Sequence, residues 1–362
     1  MKKILYDDQM FTFQRFGGVT RYFADLIYNL PDGEFTAEIP MKYCENHYVT
    51  KTYGQEYKQF SFPANYRMRR RIYSFFNRSM SRNAIKQSDY DIFHPTYYNP
   101  YFLKSVKERG KQIVLTIHDM TFERYPQNVL FYDRTIEHKK RLIAQADHII
   151  AVSENTKRDI VDILGTDPSK ISVVHHGYRP VATVAPQLFD HYVLYVGERK
   201  GYKNFQPWLS AICPLLHNNP SLKIVCTGAP FTKAELKLFA GWGISERMTH
   251  ISANDAQMAS LYRHALCFVF PSHYEGFGIP ILEAFHNNCP VCLSNASCFP
   301  EVAGDAAIYF NPNDAQSMHD TLKEILSSQA LREELQQKGA LHSKEYSLER
   351  MVEQTCNVYR KQ

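Results

Sequence analysis

The segment PSHYEGFGIPILEAF at 271–285 gathers groups that could do chemistry. An apolar strand ends near Phe270, Glu275 follows, Gly276, Phe277 and Gly278 make a turn, Pro280 stands near a helix start, and Glu283 lies inside that helix. Glycines let the backbone take positive φ and approach a ligand closely, and the free amides of a helix start favour an anion. Two carboxylates with seven residues between them, set across such a turn, could accept hydrogen bonds from two hydroxyls of one elongated polar ligand. The plainer reading is a glycine turn with two solvated glutamates. Arg199 and Lys203 follow a second apolar run, YVLYVG at 192–197, and taken alone they read as a solvated loop. Gly17 and Gly18 come just before Val19, where a helix begins, so backbone amides there could approach phosphates or a sugar; GxGxxG is absent, so this is no dinucleotide fingerprint. His118 closes the run QIVLTIHD at 112–119, and ligands of open α/β sheets bind at the carboxyl ends of strands.

No nucleophile, base and acid stand together as a set, and no metal constellation is present. Cys289 and Cys292 have CxxC spacing, but they lead into a buried strand and no second pair supplies further zinc ligands, so packing explains them. Eight cysteines are too few for a disulfide scaffold in 362 residues, and reduced, cytosolic thiols are expected.

These residues need elements to position them. Short apolar runs recur at 3–7, 91–95, 112–119, 148–153 and 171–177, with helical spacing between them over 19–29 and 135–145. Residues 180–190, with two prolines and no period, interrupt the series. It restarts at 192–197, 222–228, 248–251, 267–272, 290–294 and 307–310, followed by a helical stretch at 314–340. Alternating strand and helix in two halves implies two Rossmann-like domains facing across a cleft, each with a mostly parallel sheet. The last stretch, 345–362, carries Leu348, Met351, Val352, Cys356, Val358 and Tyr359 and reads as a packed helix. Hydrophobic residues at 44% and charged ones at 22% exclude a disordered chain, and a net charge of +5 does not by itself indicate a nucleic-acid binder. The start, MKKILYDDQM, lacks the roughly 7–15 apolar residues of a signal peptide, and no run reaches the ~20 that span a bilayer.

The stretch Pro271 to Ala284 resembles the E-x7-E context of the retaining, GT-B-fold glycosyltransferases of family 4. The likeness continues in SNASCFPEVAGDAAIYFNP at 294–312, LYVGERKGYKNF at 194–205, FGGVTRY at 16–22, TIHDMTFERYP at 116–126 and AVSENTKRDI at 151–160. It implies an acceptor domain at 1–180, a linker at 181–190, a nucleotide-sugar domain at 191–345, and a C-terminal helix at 346–362 returning to the first domain. It further implies that Glu283 binds the ribose of the nucleotide and that Glu275 holds the transferred sugar. Arg199 and Lys203 would neutralise the diphosphate, one as a planar fork and the other as a point charge. His118 would lie near the donor sugar, and Gly276, Phe277, Gly278, Gly17 and Gly18 would border the donor. Asp7 and Asp8 are adjacent and form no D-x-D, so no divalent metal or other cofactor is expected. Asn288 stands where the family usually has glycine and His176 where it usually has asparagine; Asn tolerates left-handed geometry, so the first turn should be kept.

Residues 57–88 carry eight Lys or Arg and no Asp or Glu, interleaved with Tyr66, Met68, Ile72, Tyr73, Phe75 and Phe76. Such a stretch can lie on an anionic membrane, which suits an enzyme acting on a lipid-linked glycan; a solvated helix face is the alternative, and no nucleic acid is expected. The reading from sequence is hexose transfer, with GDP-mannose favoured over a UDP-sugar, to a saccharide or lipid-linked glycan acceptor in O-antigen or capsule synthesis. A bilobal binding protein without catalysis is the alternative of a different class. The place of action would be the cytoplasm, peripherally at the inner face of the membrane through 66–82.

Overall fold

The computed structural model describes residues 1–59, 66–126 and 134–362, and the side chains of Tyr66 and Arg67, from the basic segment, lie outside that set. The chain divides into two compact units, residues 1–177 with 348–362, and residues 178–347.

The first unit is built on a parallel sheet of β1 (Lys2–Tyr6), β2 (Phe35–Glu38), β3 (Ile92–His94), β4 (Gln112–Ile117), β5 (His148–Ala151) and β6 (Ile171–Val173). Their order is β2-β1-β3-β4-β5-β6, with every pair parallel. Crossover helices cover both faces of such a sheet, so its central strands are continuous apolar runs: all of β4 after Gln112 is buried. The sequence runs place five of these strands. They miss β2, an edge strand that buries only Phe35 and pairs Lys2 with Phe35.

The C-terminal helix Leu348–Lys361 packs into this first unit. Leu348, Met351, Val352, Cys356 and Tyr359 share a core with Ile4, Tyr6 and Phe35, each large side chain contributing roughly 1.5–3 kcal/mol by leaving water. The Tyr359 hydroxyl lies 2.7 Å from that of Tyr6 and 2.6 Å from His94 Nδ1, while His94 Nε2 lies 2.9 Å from Thr116 Oγ1. Lys2 Nζ donates to the Tyr359 carbonyl at 2.7 Å and Arg360 Nη2 to Glu34 Oε2 at 2.7 Å. One helix is thus tied to β1, β3 and β4 by a single buried polar hub.

The second unit repeats the plan with β7 (Tyr192–Tyr195), β8 (Lys223–Cys226), β9 (Met248–His250), β10 (Cys267–Phe270), β11 (Val291–Ser294) and β12 (Ile308–Phe310). The order is β12-β11-β10-β7-β8-β9, again parallel throughout. This is the doubly wound order in which the chain reverses direction between β7 and β10, and a crevice opens beyond their carboxyl ends. The helical stretch at 314–340 is two helices, Ala315–Ser327 and Gln329–His342, because Ser328 stops the first and caps the second by accepting from the Leu331 amide at 3.1 Å. Asn288 has φ 52, the left-handed turn expected of it. Among the described residues no helix is long and apolar enough to cross a membrane.

Tyr359→Phe should destabilise the first unit by about 1–3 kcal/mol, because the hydroxyls and imidazole around the hub lose a shared partner in a dry core. Urea denaturation followed by the signal of that unit measures this, and a midpoint equal to that of the parent would remove the hub from the account.

Candidate active site

The loops leaving β7 and β10 meet at the switch between those strands. Lys203, on the first loop, forms an ion pair with Glu275, on the second, with Nζ 2.6 Å from Oε1. Both side chains are mostly buried, at 16% and 14% exposure, so the pair has little water around it. Burial opposes the Lys203 charge, yet Glu275 and the neighbouring Tyr202 hold the ammonium above its ordinary pKa. The loops are also joined by backbone, the His273 amide donating to the Tyr202 carbonyl at 2.8 Å. Glu275 is fixed by the next loop: Ser297 Oγ accepts from its amide at 3.2 Å and donates to its carbonyl at 2.7 Å, and the Cys298 thiol reaches the carbonyl of Phe277 at 3.1 Å.

The turn then closes on Gly278, with φ 97, which caps the helix Ile279–His286. A Cβ there would lie 3.0 Å from Ile281 Cδ1 and 3.3 Å from Phe299 Cε1, so this turn admits glycine for both space and dihedral. Gly276 and Phe277 are buried, Phe277 edge-on to Tyr346. Glu283 lies in the second turn of that helix, where the buried Tyr262 hydroxyl donates to its Oε2 at 2.9 Å.

Arg199 points elsewhere. Its Nε donates to Glu235 Oε1 at 2.6 Å, its Nη2 donates to the carbonyls of Ala229 and Pro230, and its guanidinium lies 4.8 Å from the centroid of the Phe231 ring. Burial opposes ionisation of Glu235, but Arg199 and the Thr232 amide hold its carboxyl below the ordinary value. Arg199 Nη1 is buried and has no hydrogen-bond partner among the described residues. With Lys200, Phe205, Gln206 and Glu235, Arg199 lines a cavity of about 400 Å³. The two basic residues that sequence reading joins in one clamp each have a carboxylate of their own.

Gly17, Gly18 and His118 belong to the first unit. Gly17 caps the helix Gly18–Ile27, and a Cβ on it would lie 2.2 Å from Gln14 Oε1. His118 follows β4 directly and is buried, with its ring edge-on to Tyr22 at 5.1 Å and stacked on His176 at 5.6 Å. Its Nε2 has no hydrogen-bond partner among the described residues, a condition that native proteins reserve for a reason, such as a ligand. Its backbone amide donates to the Tyr98 hydroxyl at 3.2 Å. Among the described residues no group of three or more His, Cys, Asp or Glu is arranged to hold a metal ion. Cys289 and Cys292 are buried free thiols, pushed well above their ordinary pKa by burial, which is packing and not redox geometry.

Comparison with known proteins decides what this arrangement belongs to. The family model "Glycosyltransferase Family 4" matches residues 16–180 and "Glycosyl transferases group 1" matches residues 186–342. The chain is a GT-B glycosyltransferase. It is 27% identical over 296 residues to O-antigen chain mannosyltransferase B of Escherichia coli, covering 75% of this chain and 74% of that protein. It is 28% identical over 216 residues to O-antigen chain mannosyltransferase RfbU of Salmonella typhimurium, covering 58% of this chain and 60% of that one. The fold of Anabaena HepE, solved in complex with UDP-glucose, superposes with a TM-score of 0.75 at 14% identity over the full length of both chains. The enzyme is therefore a nucleotide-sugar-dependent hexosyltransferase with two Rossmann-like domains.

Sequence reading of this glycosyltransferase passed over Glu235, Tyr262, Ser297 and Cys298. Thr232 and Glu235 were legible, since T-x-x-E before a helix is a capping box and the structure forms one. Tyr262 had no local signal, because its partner is 21 positions away.

Three buried histidines give the first unit a pH dependence. Burial lowers His94 and His118 to about 3 and holds His176 well below its ordinary value, so all stay neutral while the unfolded chain takes up a proton on each near pH ~6.5. Their stabilisation is complete above that pH and is lost as pH falls. Asp8 opposes them, raised to about 6 by burial and by Asp7, and Asp7 is raised by burial too. Three protons against at most two leave a net loss of at least ~1.4 kcal/mol per pH unit between about pH 6 and 4. Urea melts at stepped pH should show that slope, and His118→Asn should flatten it; stability that is level or rises on acidification would contradict the assignment.

Proposed function

We propose that this enzyme moves mannose from GDP-mannose, with retention of anomeric configuration, to a saccharide or lipid-linked glycan in O-antigen, capsule or related cell-surface polysaccharide synthesis. The observation that carries the site assignment is the Lys203–Glu275 pair at the β7/β10 switch, with Glu283 on the helix that follows. In this reading Glu283 accepts from the ribose hydroxyls and Glu275 from hydroxyls of the sugar beside the anomeric carbon. Lys203, with Arg199, compensates the charge that builds on the departing diphosphate. His118 offers Nε2, which has no hydrogen-bond partner among the described residues, to a sugar hydroxyl, and the amides around Gly17 and Gly18 bind the donor. Gly276, Phe277 and Gly278 shape the turn beneath it. The departing phosphate oxygen takes the acceptor proton as the new bond forms on the face it leaves. A lysine and arginine clamp does the work of a divalent ion, so the reaction runs without metal.

Support for mannose is the naming of both O-antigen relatives as mannosyltransferases. A UDP-sugar is the second reading, supported by the shared fold of HepE, solved with UDP-glucose. The reading extends to a cytoplasmic enzyme in peripheral contact with the inner face of the membrane through 66–82.

Calorimetric titration with GDP, UDP, ADP and dTDP, first metal-free and then with magnesium, tests the donor. GDP should bind without metal, and Glu283→Ala or Lys203→Ala should weaken it on the order of tenfold or more, the size of a lost charge-assisted hydrogen bond. Tight binding of UDP alone would move the assignment to the second reading, and indifference to both substitutions would place the nucleotide elsewhere. Glu275→Ala should cut turnover by on the order of a hundredfold, the loss of one positioned polar contact at the reacting centre. Undiminished turnover would remove Glu275 from the site.

Tyr262→Phe should leave Glu283 in place but unbraced. GDP affinity and KM should worsen by several-fold with kcat little changed, which a general loss of packing would not produce. Equal loss in kcat and KM would mean that Tyr262 merely supports the fold.

A further inference from the structure

Two imidazoles lie together beyond the carboxyl ends of the first sheet. His118 follows β4 directly, and His176 comes three residues after β6, with β5 between the two strands. Their rings stack with centroids 5.6 Å apart and planes 19° from parallel. Tyr22, from the helix Gly18–Ile27, stands edge-on to both, at 5.1 Å and 83° from His118 and at 5.0 Å and 85° from His176. Two parallel rings with a third across them is an arrangement that aromatic quadrupoles favour. Tyr22 is itself fixed, its hydroxyl lying 3.3 Å from Thr116 Oγ1, which also meets His94. All three rings are buried, His176 at 5% exposure and His118 at 8%.

Nε2 of His118 has no hydrogen-bond partner among the described residues, so ring contacts set the direction in which it points. Phe23 meets the imidazole edge-on at 5.9 Å, and His176 covers one face. Asparagine, the family's usual residue at 176, has no ring to lay on that face and leaves room for water beside it.

We propose that His176 is a positioning residue for His118: its ring lies on the His118 imidazole, fixes the plane in which Nε2 points and keeps water off that face. This role rests on His118 meeting the donor sugar. A dry imidazole stays neutral, and burial already lowers both rings. The other titratable groups about the pair are Tyr22, His94, Tyr98, Lys139 and Asp119 around His118 and His175 beside His176. Substitution at 176 leaves all of them in place.

Carbon-13 NMR of the histidine rings in the full chain, without donor or acceptor, tests the stack between about pH 8 and about pH 5. The His118 signal is assigned by its loss in His118→Asn. It should not titrate in the parent and should titrate in His176→Asn, toward the ordinary value of ~6.5. The second readout is release of GDP from GDP-mannose with water as acceptor, or of UDP from UDP-glucose where UDP is the nucleotide that binds. In His176→Asn kcat should fall on the order of tenfold, within the ~hundredfold that a misplacement of about 1 Å can cost, with KM little changed. The loss should deepen as pH falls, because the re-wetted imidazole takes up a proton. His176→Phe keeps a flat ring and should restore most of the turnover and a His118 that does not titrate. Equal loss in the Phe and Asn variants would mean that a ring nitrogen matters and not the stacked face, and would overturn the proposal. So would a His176→Asn variant with parent-like turnover and an unchanged His118 signal. Lower melting with kcat and KM worsened equally at every pH would reduce His176 to support for the fold. A His118 that titrates in His176→Asn while turnover stays at the parent's level would leave the stack standing and defeat the placing of His118 at the sugar.

Discussion

A parallel strand can rejoin its sheet only by crossing over it, and this constraint decides where everything functional in the molecule lies. Each crossover leaves from the carboxyl end of a strand, so loops gather at one edge of each sheet and leave a crevice where the winding reverses. In the second unit that reversal falls between β7 and β10. The loops that follow them supply Lys203 and Glu275, residues 72 positions apart that no local motif joins. The first unit follows the same rule: its reversal lies between β1 and β3, and Asp7, Asp8, His94, His118 and His176 all lie at or just beyond strand ends.

Charges taken from water must be balanced, and the loop after β7 shows how. Lys203 and Arg199 could not stand alone so deep, and each has a carboxylate within ion-pair distance, Glu275 and Glu235. Removing one member of such a pair leaves its partner buried and uncompensated, which costs more than the pair itself contributes. In the proposed function, an incoming diphosphate offers Lys203 a second anion where it already has one. Glu275 is then released toward hydroxyl donors, which a carboxylate accepts without needing a full countercharge. The loop is thus a balanced resting state of the charges that nucleotide-sugar chemistry requires.

Much of this was legible in the sequence, and the reasons differ by element. Strands buried on both faces write themselves as apolar runs, so eleven of twelve were placed from sequence, while β2 was missed because an edge strand such as FTAE needs only Phe35 to anchor it. Gly278 and Asn288 were legible because few residues tolerate their dihedrals. The partners that hold the functional groups were not. Tyr262, Ser297 and Cys298 act through contacts set by tertiary packing, and hydroxyls and thiols in a sequence give no sign of which carboxylate or carbonyl they will meet. Nor does their closeness in sequence tell that Arg199 and Lys203 take different carboxylate partners, Glu235 and Glu275.

The division of charge between the two units has a chemical consequence. The second unit keeps ionised side chains at its strand ends, and the first keeps imidazoles that burial holds neutral. In the proposed function, the neutral imidazole of His118 donates to or accepts from a sugar hydroxyl and adds no charge beside an anomeric carbon that becomes electron-poor as the bond to the leaving group breaks. An imidazolium in that place would oppose the developing positive charge. Desolvation against Tyr22 and Phe23 therefore does for His118 what ion pairing does for Lys203: it selects the one protonation state that its proposed role can use. The aromatic surroundings of the first unit and the carboxylates of the second are two solutions to a single electrostatic requirement.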